Sequence, residues 1–344
     1  MCTIAGYVGE HDAAPILIEM MRTIEGYDSG FFTGIATLHE GKIYYEKVIG
    51  DLDQLLKTTR AASLPGKIGI IHSRTGGEGS VERGHPFIAR KDGVPFIAHV
   101  SNGGPGCFAD KKDEIGKIAD QMLLEGYELR SKERFENPYI TTADGDCVHI
   151  SDLTTQYTLK LLNEGLPPEY AAERAMMTLP SDDVDINISL AHPDCIVFSK
   201  MSQPMAVGFC PHGAYMSTTA LAFPDDARPP IILPSFTAGR VYADKYTLKP
   251  FDSLPCTYEP FDAAILLKSY GVVADIIKKE PRDVGSIRQE LKPLLLAGVQ
   301  SAPTTLVIYE VLRVMQKQGI LKWKNGRVPG KCGLDAPRTY FYIE

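Results

Sequence analysis

Apolar and polar residues alternate with two different periods along the chain, and each period predicts its own kind of element. The apolar run over 3–8 predicts a strand. The apolar positions of 16–24 recur at helical spacing and predict the helix that follows. Residues 34–37 and 42–48 alternate on either side of Glu40-Gly41, which predicts a β-hairpin.

Two further apolar runs, 68–71 and 96–100, predict strands that lead directly into polar, glycine-rich turns, RTGGEG and SNGGPG. Functional side chains are often carried by loops at the ends of such rigid elements. Helical patterns over 113–127 and 152–163 follow, and strand patterns return over 186–248. Strands, a few helices and then more strands predict a layered α+β domain and not a doubly wound parallel sheet.

The character of the chain changes after about residue 254. Three helices are predicted over 263–279, 287–296 and 304–319, and a short basic, turn-rich segment then leads into a final strand pattern. Three helices followed by a β-ribbon suggest a small, winged-helix-like unit. We therefore expect a main domain over 2–254 and a small, mostly helical C-terminal domain over 255–344.

Composition narrows the class of protein. The 344 residues are 44% hydrophobic and 23% charged, with a net charge of −7, which gives no electrostatic reason to expect nucleic-acid binding. No apolar run reaches the roughly 20 residues that span a bilayer, and the N-terminus lacks the features of a secretory signal. The expectation is a cytoplasmic protein that forms no membrane contact.

Seven cysteines are widely spaced and include no C-x-x-C pair, which argues against a disulfide framework and against a zinc or iron–sulfur site. We expect no metal and no cofactor, and most of the cysteines to be small buried residues. Cys2 differs because removal of Met1 would free its α-amino group. That amine has a pKa of roughly 7.7 to 8.0, so nucleophile and general base could come from one residue. A small buried residue at the head of a strand is the alternative.

Five motifs occur in order along the chain: MCTIAGYVG, GYDSGFFTGIA, IIHSRTGGEG, RGHPF and SNGG. Together they resemble the class II glutamine amidotransferases, which are N-terminal nucleophile hydrolases, and especially the glutaminase half of glucosamine-6-phosphate synthase. The resemblance covers about residues 2 to 250. It implies a four-layer αββα sandwich and an enzyme that hydrolyses the side-chain amide of glutamine through a thioester on Cys2.

The resemblance also implies roles for individual residues. Asn102 and Gly103 would form the oxyanion hole that assists Cys2, although the same pair suits a plain turn. Arg74, with Thr75 beside it, would bind the substrate α-carboxylate, although a surface ion pair is the alternative. Asp152 would bind the substrate α-ammonium, although a helix N-cap is the alternative for this residue. His85 would help to order the substrate-binding loop, although a structural histidine is the alternative. The supporting segment beside the nucleophile strand would comprise Gly26, Tyr27 and Asp28.

Two departures from the family pattern bear on specificity. The stretch from Thr75 to Glu78 is glycine-rich and acidic where most family members carry larger residues, and Glu25 stands where the synthases usually have arginine. About 90 residues follow the resemblance, too few for the synthase's sugar-isomerase domains. Ammonia would therefore pass to an acceptor on a partner chain, or else be released free. An amidase for another substrate and a non-catalytic glutamine-sensing subunit remain open alternatives, as does a homo-oligomer.

Overall fold

The computed structural model describes residues 2–135, 139–256, 263–295, 301–330 and 333–344. Its α-helices are α1 Ala13–Ile24, α2 Leu52–Thr58, α3 Lys112–Leu124, α4 Ile150–Asn163, α5 Pro168–Thr178, α6 Ala263–Lys279, α7 Val284–Leu295 and α8 Ser301–Lys317. Short 3-10 helices lie at Glu25–Tyr27, Ala61–Ser63, Val81–Arg83, Gly106–Lys111 and Ala220–Ala222.

The strands are β1 Thr3–Gly9, β2 Phe32–His39, β3 Lys42–Ile49, β4 Ile68–Arg74, β5 Phe87–Lys91, β6 Val94–Gly104, β7 Ile140–Thr141, β8 Cys147–Val148, β9 Asp182–Ser189, β10 His192–Lys200, β11 Ala206–Cys210, β12 Gly213–Ser217, β13 Ile231–Ile232, β14 Thr237–Val241, β15 Tyr246–Pro250, β16 Lys322–Pro329 and β17 Asp335–Tyr342. One sheet has the order β13-β11-β12-β1-β4-β2-β3, and a second has the order β15-β14-β10-β9-β6-β5. The pairs β7-β8 and β16-β17 form two small hairpins.

The two large sheets pack face to face through an apolar inner layer. Every second residue of β1 contributes to it, as do alternate residues of β6, β9 and β12, because successive side chains in a strand point to opposite faces. Gly6 is the point of closest approach on β1. A Cβ there would lie 2.9 Å from Ile196 Cδ1 on the facing sheet. The inner layer therefore fixes how closely the two sheets pack.

Helices cover both outer faces. The apolar side of α1 packs on the outer face of the β1 sheet, where Leu17 and Met21 are fully buried. On the other sheet, Leu159 of α4 packs against Ile97 and Ala89, and Ala172 of α5 packs against Val197. Helix, sheet, sheet and helix form the four-layer αββα sandwich, so the expected fold class is confirmed.

Local sequence signals explain several boundaries. The β2-β3 hairpin turns at Glu40 and Gly41, with φ of 46° and 72°, which is the left-handed geometry that two-residue hairpin loops require. The Asp51 side chain accepts a hydrogen bond of 3.0 Å from the Gln54 amide and so caps α2. The predicted helix over 287–296 corresponds to α7, although its last residue lies outside the described ranges.

The C-terminal segment has the predicted three helices and antiparallel ribbon. Residues of α6, α7 and α8 join the same apolar cluster as α1, and Phe341 of β17 packs there as well. The predicted division into two domains at residue 254, and the likeness to a winged helix, stay predictions. Within the described ranges, none of the helices has both the length and the apolar character needed to cross a bilayer.

Candidate active site

Strand alternation directs Cys2 and Asn102 into the same space between the sheets. Ile4 and Val8 of β1 point into the inner apolar layer, and Cys2 has the same parity immediately before the strand. On β6, Ala98 and Val100 point into that layer from the opposite sheet, and Asn102 continues their series. The thiol and the amide thus face the intersheet space from opposite sides.

Arg74 is the cross-strand neighbour of Cys2. Thr3 pairs with Ser73 and Ile4 with His72, so the antiparallel register continued by one position sets Cys2 opposite Arg74. Burial lowers the pKa of the Arg74 guanidinium, and the nearby Cys2 partly offsets that effect. The same guanidinium donates a 2.8 Å hydrogen bond to the Arg83 carbonyl, which fixes its position beside the nucleophile.

A cavity of about 480 Å³ opens at this end of the sandwich. Its lining includes Cys2, Arg74, Thr75, His85 and Gly103, so five of the sequence-predicted residues share one space. Pockets that bind small molecules typically enclose on the order of 300 to 1,000 Å³. The cavity is therefore large enough for a substrate of amino-acid size.

Asn102 is fully buried, and neither its Oδ1 nor its Nδ2 has a hydrogen-bond partner among the described residues. An unsatisfied buried polar group costs about 1 to 3 kcal/mol, so an unpaired amide that faces the same intersheet space as Cys2 points to a ligand-binding role. Asn102 itself does not line the cavity, whereas its neighbours Ser101 and Gly103 do.

Gly103 meets both the steric and the hydrogen-bonding requirements for a backbone donor. Its φ is 154°, and an added Cβ would clash with the Asp182 carbonyl, so only glycine fits. Gly103 is opposite Asp183 in the β6-β9 ladder. The Asp183 amide donates to the Ser181 carbonyl, and the Asp183 carbonyl accepts from the Met201 amide. Gly103 and Asp183 therefore form a non-hydrogen-bonded pair, which leaves the Gly103 N–H facing away from β9.

Curated relatives share this part of the chain. A glutamine–fructose-6-phosphate aminotransferase (isomerizing) from Zymomonas mobilis is 29% identical over 230 residues, which are 64% of this chain and 32% of that protein. The enzyme of the same name from Caldanaerobacter subterraneus is 41% identical over 215 residues, 60% of this chain and 30% of that protein. The chain is related to the class II glutamine amidotransferases.

Two solved structures share the fold. Glutamine phosphoribosylpyrophosphate amidotransferase from B. subtilis superposes with a TM-score of 0.59 at 12% identity, covering 82% of this chain and 60% of that one. An allosteric regulatory enzyme of purine biosynthesis gives a TM-score of 0.58 at 12% identity, covering 90% and 63%. No family model matches the sequence. The chain spans about a third of the length of the curated relatives it matches.

Within the cavity, the departure at 75–78 has a steric reason. A Cβ on Gly77 would lie 2.7 Å from Cζ of Arg74, and the φ of Gly77 is 153°, so a side chain there would displace the guanidinium. The Thr75 hydroxyl donates a 2.9 Å hydrogen bond to the Asp28 carbonyl, which holds the start of the loop. Glu78 is exposed and lines the same cavity as Arg74, which brings a negative charge to its entrance.

His85 belongs to a buried histidine group at the base of the cavity. Its ring is tilted by 35° against that of His72 with centroids 3.9 Å apart, and its Nε2 lies 3.1 Å from the Ser101 hydroxyl. Burial lowers the pKa of His72 to about 3 and the pKa of His85 well below its usual value. Both rings are therefore neutral near pH 7.

Asp152 is placed differently from the role expected for it. Its Oδ2 accepts hydrogen bonds of 2.8 Å from both the amide and the hydroxyl of Ser131, and the residue is 1% exposed. It does not line the cavity that holds Cys2, whereas its neighbour Ser151 does. The structure thus uses this carboxylate to tie the 131 segment to the first turn of α4. A contact with a substrate ammonium stays a prediction.

The predicted supporting segment packs against the C-terminal ribbon. An added Cβ on Gly26 would clash with Thr339, and the Tyr27 ring packs edge-on against Phe341 with centroids 5.2 Å apart. The Asp28 carboxylate accepts a 2.6 Å hydrogen bond from Arg338. Burial alone would raise the pKa of Asp28, but nearby positive charge, including Arg338, lowers it overall.

Four further cavity residues carry no local sequence signal for a site: Cys147, His149, Ser151 and Asp183. They come from the region around β8, from the start of α4 and from β9, so only the packing of distant segments brings them together. Asp183 is the one most relevant to substrate charge. Burial, and then the neighbouring Asp185, raise its pKa well above the usual range of a carboxyl.

Proposed function

We propose that the chain hydrolyses the side-chain amide of glutamine through a thioester on Cys2 and releases ammonia. One observation carries the proposal: the half-buried Cys2 shares a cavity with Arg74 and Gly103, and the residue that precedes Gly103, Asn102, has an unpaired buried amide. The relation to glutamine amidotransferases supports the choice of glutamine over other amides.

The chemistry proceeds in two balanced steps. The Cys2 sulfur attacks the amide carbon, and the α-amine freed by loss of Met1 takes the thiol proton. Nδ2 of Asn102 and the amide of Gly103 stabilise the oxyanion of the tetrahedral intermediate. The same proton then passes to the leaving nitrogen, the C–N bond breaks, and ammonia departs to leave the thioester. Water next attacks the thioester, which releases glutamate and restores the thiol.

The direct test measures glutamate formed from glutamine, together with the N-terminal mass of the purified chain. We expect a mass without Met1, steady glutamate release, and no release from Cys2→Ala. Cys256→Ala is a matched control because Cys256 is also half-buried and lies outside the cavity. Undiminished turnover in Cys2→Ala would overturn the proposal.

The substrate α-ammonium is assigned to Asp183 in place of Asp152. Asp183 lines the cavity, whereas the Asp152 carboxylate is already held by Ser131. Binding a cation beside Asp183 would stabilise its charged form against burial. We expect Asp183→Asn to raise KM for glutamine much more than Asp152→Asn. Equal effects, or a larger effect of Asp152→Asn, would contradict the assignment.

A different amide is the second candidate substrate, and Glu78 is the observation that favours it. A carboxylate at the cavity entrance repels a substrate carboxylate and attracts a cationic group. A panel of amides separates the two candidates. Turnover of another amide, with none of glutamine, would replace glutamine in the proposal and keep the Cys2 mechanism.

We further propose that ammonia is accepted by a site on a partner chain. The sequence similarity to the curated relatives reaches only about a third of their length. A glutaminase acting without its acceptor releases free ammonia in proportion to glutamate. Addition of the partner should lower free ammonia per glutamate, and an unchanged ratio would contradict its role as acceptor.

A further inference from the structure

A second group of reactive side chains lies at the opposite end of β1 from the nucleophile. Cys210 is the last residue of β11, His212 lies in the turn to β12, and Asp226 lies in the loop that follows. One donor atom from each residue lies within 4.8 Å of the others. The group combines a thiol, an imidazole and a carboxylate in one small volume.

This group, which we call the 210–226 cluster, is distinct from the proposed active site. Gly9 at the end of β1 pairs with Gly213, next to His212. Seven residues separate Gly9 from Cys2, and a strand rises about 3.3 Å per residue, so the two sites lie roughly 23 Å apart. The two sites therefore cannot share a substrate.

The donor atoms of the 210–226 cluster lie close together around the His212 ring. Nε2 of His212 lies 2.9 Å from Oδ2 of Asp226, whereas the other ring nitrogen, Nδ1, lies 3.5 Å from the Cys210 sulfur and 2.9 Å from the Tyr7 hydroxyl. The Tyr215 hydroxyl lies 3.0 Å from Oδ1 of Asp226 and 3.3 Å from Nε2 of His212. Donors of a tetrahedral zinc ion are separated by about 3.3 to 3.6 Å, so small side-chain movements would complete a site.

We propose that Cys210, His212 and Asp226 bind a zinc-type divalent transition-metal ion. Thiolate and imidazole ligands favour zinc over the hard cations magnesium and calcium, and the carboxylate contributes the second negative charge. When the cation binds, it replaces the protons that these side chains now share. The Tyr215 hydroxyl or water takes the fourth position.

The ion reaches the cluster from solvent and joins separate segments. Cys210 is buried, whereas the His212 and Asp226 side chains are 19% and 39% exposed. The loop that carries Asp226 returns to β11 through a 2.7 Å hydrogen bond from the Arg228 amide to the Phe209 carbonyl. Metal binding would hold this loop on the β11-β12 turn, so the site has a structural role.

The three ligands escape a search for metal motifs because they are not arranged as spaced pairs. Cys210 and His212 are two residues apart, and Asp226 follows only after 14 more. The absence of a C-x-x-C pair argues against the usual zinc motifs. It has no bearing on a site that a turn and a loop assemble.

Cobalt(II) titration of the full, tag-free chain carrying Cys2→Ala tests the proposal, because that substitution removes the active-site thiol as a competing ligand. We expect one equivalent to bind with tetrahedral d–d bands and a thiolate-to-cobalt charge-transfer band, and zinc to displace it. Cys210→Ser should lose the charge-transfer band. Asp226→Asn, which changes an exposed side chain, should weaken binding by at least roughly tenfold.

Cys195→Ser provides the matched control. Cys195 is buried in the other sheet, where its sulfur is 4.0 Å from a backbone carbonyl, so this variant should retain the complete spectrum. Circular dichroism establishes that each variant is folded. Absence of the charge-transfer band in the starting chain, or an undiminished band in Cys210→Ser, would refute the metal site.

Discussion

Replacement of Glu25 by glutamine should remove a large part of the pH dependence of stability. Glu25 is 6% exposed, and its Oε1 accepts hydrogen bonds of 2.9 Å from Thr33, 2.8 Å from Ser73 and 2.8 Å from the Leu52 amide. Burial raises the pKa of this carboxyl to about 7, although the hydrogen bonds from Ser73 and Thr33 act in the opposite direction.

The magnitude follows from the difference between folded and unfolded states. The reference pKa is 4.5 and the folded value is about 7, and each pKa unit corresponds to about 1.4 kcal/mol. Because the folded chain keeps the proton to higher pH, the stabilisation is complete below the unfolded pKa. This stabilisation is lost as pH rises through the folded pKa, and the total loss is roughly 3 kcal/mol.

Urea unfolding at about pH 5 and about pH 8 measures this effect, because most of the Glu25 titration lies between those values. Between those two pH values, the free energy of unfolding of the wild-type chain should fall by about 2.5 kcal/mol more than that of Glu25→Gln. Glu19→Gln is the matched control, since the Glu19 side chain is 73% exposed. Identical pH dependence in wild type and Glu25→Gln would refute the reasoning.

Three further predictions concern the site and its support. Asn102→Ala should lower kcat on the order of 100- to 1,000-fold without unfolding the chain, measured by glutamate release; an unchanged kcat would exclude the amide from the oxyanion hole. Gly77→Ala should raise KM with little effect on urea stability, because its Cβ would displace the Arg74 guanidinium; an unaltered KM would contradict that account. Tyr27→Ala should cost about 3 to 5 kcal/mol in urea unfolding, whereas Trp323→Ala, at a 52% exposed residue, should cost far less; equal losses would contradict the packing described for Tyr27.

The sequence predicts the parts of the site that depend on local pattern. Period-two alternation in β1 and β6 directs Cys2 and Asn102 towards the same intersheet space, once the two strands are known to belong to facing sheets. The turn at Glu40-Gly41 and the helical face of α1 follow from local chemistry in the same way.

Contacts between distant segments could not be predicted in this way. Asp152 was expected to bind substrate, but whether its carboxylate faces the cavity or Ser131 depends on how the 131 segment packs on α4. Asp183 reaches the cavity because β9 pairs with β6, and no nearby motif indicates that pairing. Glu25 departs from the family pattern in sequence, yet its buried contacts with Thr33 and Ser73 become visible only in the folded chain.

The central claim is that the Cys2 sulfur is an activated nucleophile in a glutamine-sized cavity. Mass spectrometry after incubation with a glutamine-mimicking electrophile tests it most directly. We predict one adduct per chain, located on an N-terminal Cys2 that has lost Met1, with labelling slowed by excess glutamine. Labelling spread over other cysteines, or an unmodified Cys2 with Met1 removed, would contradict the account.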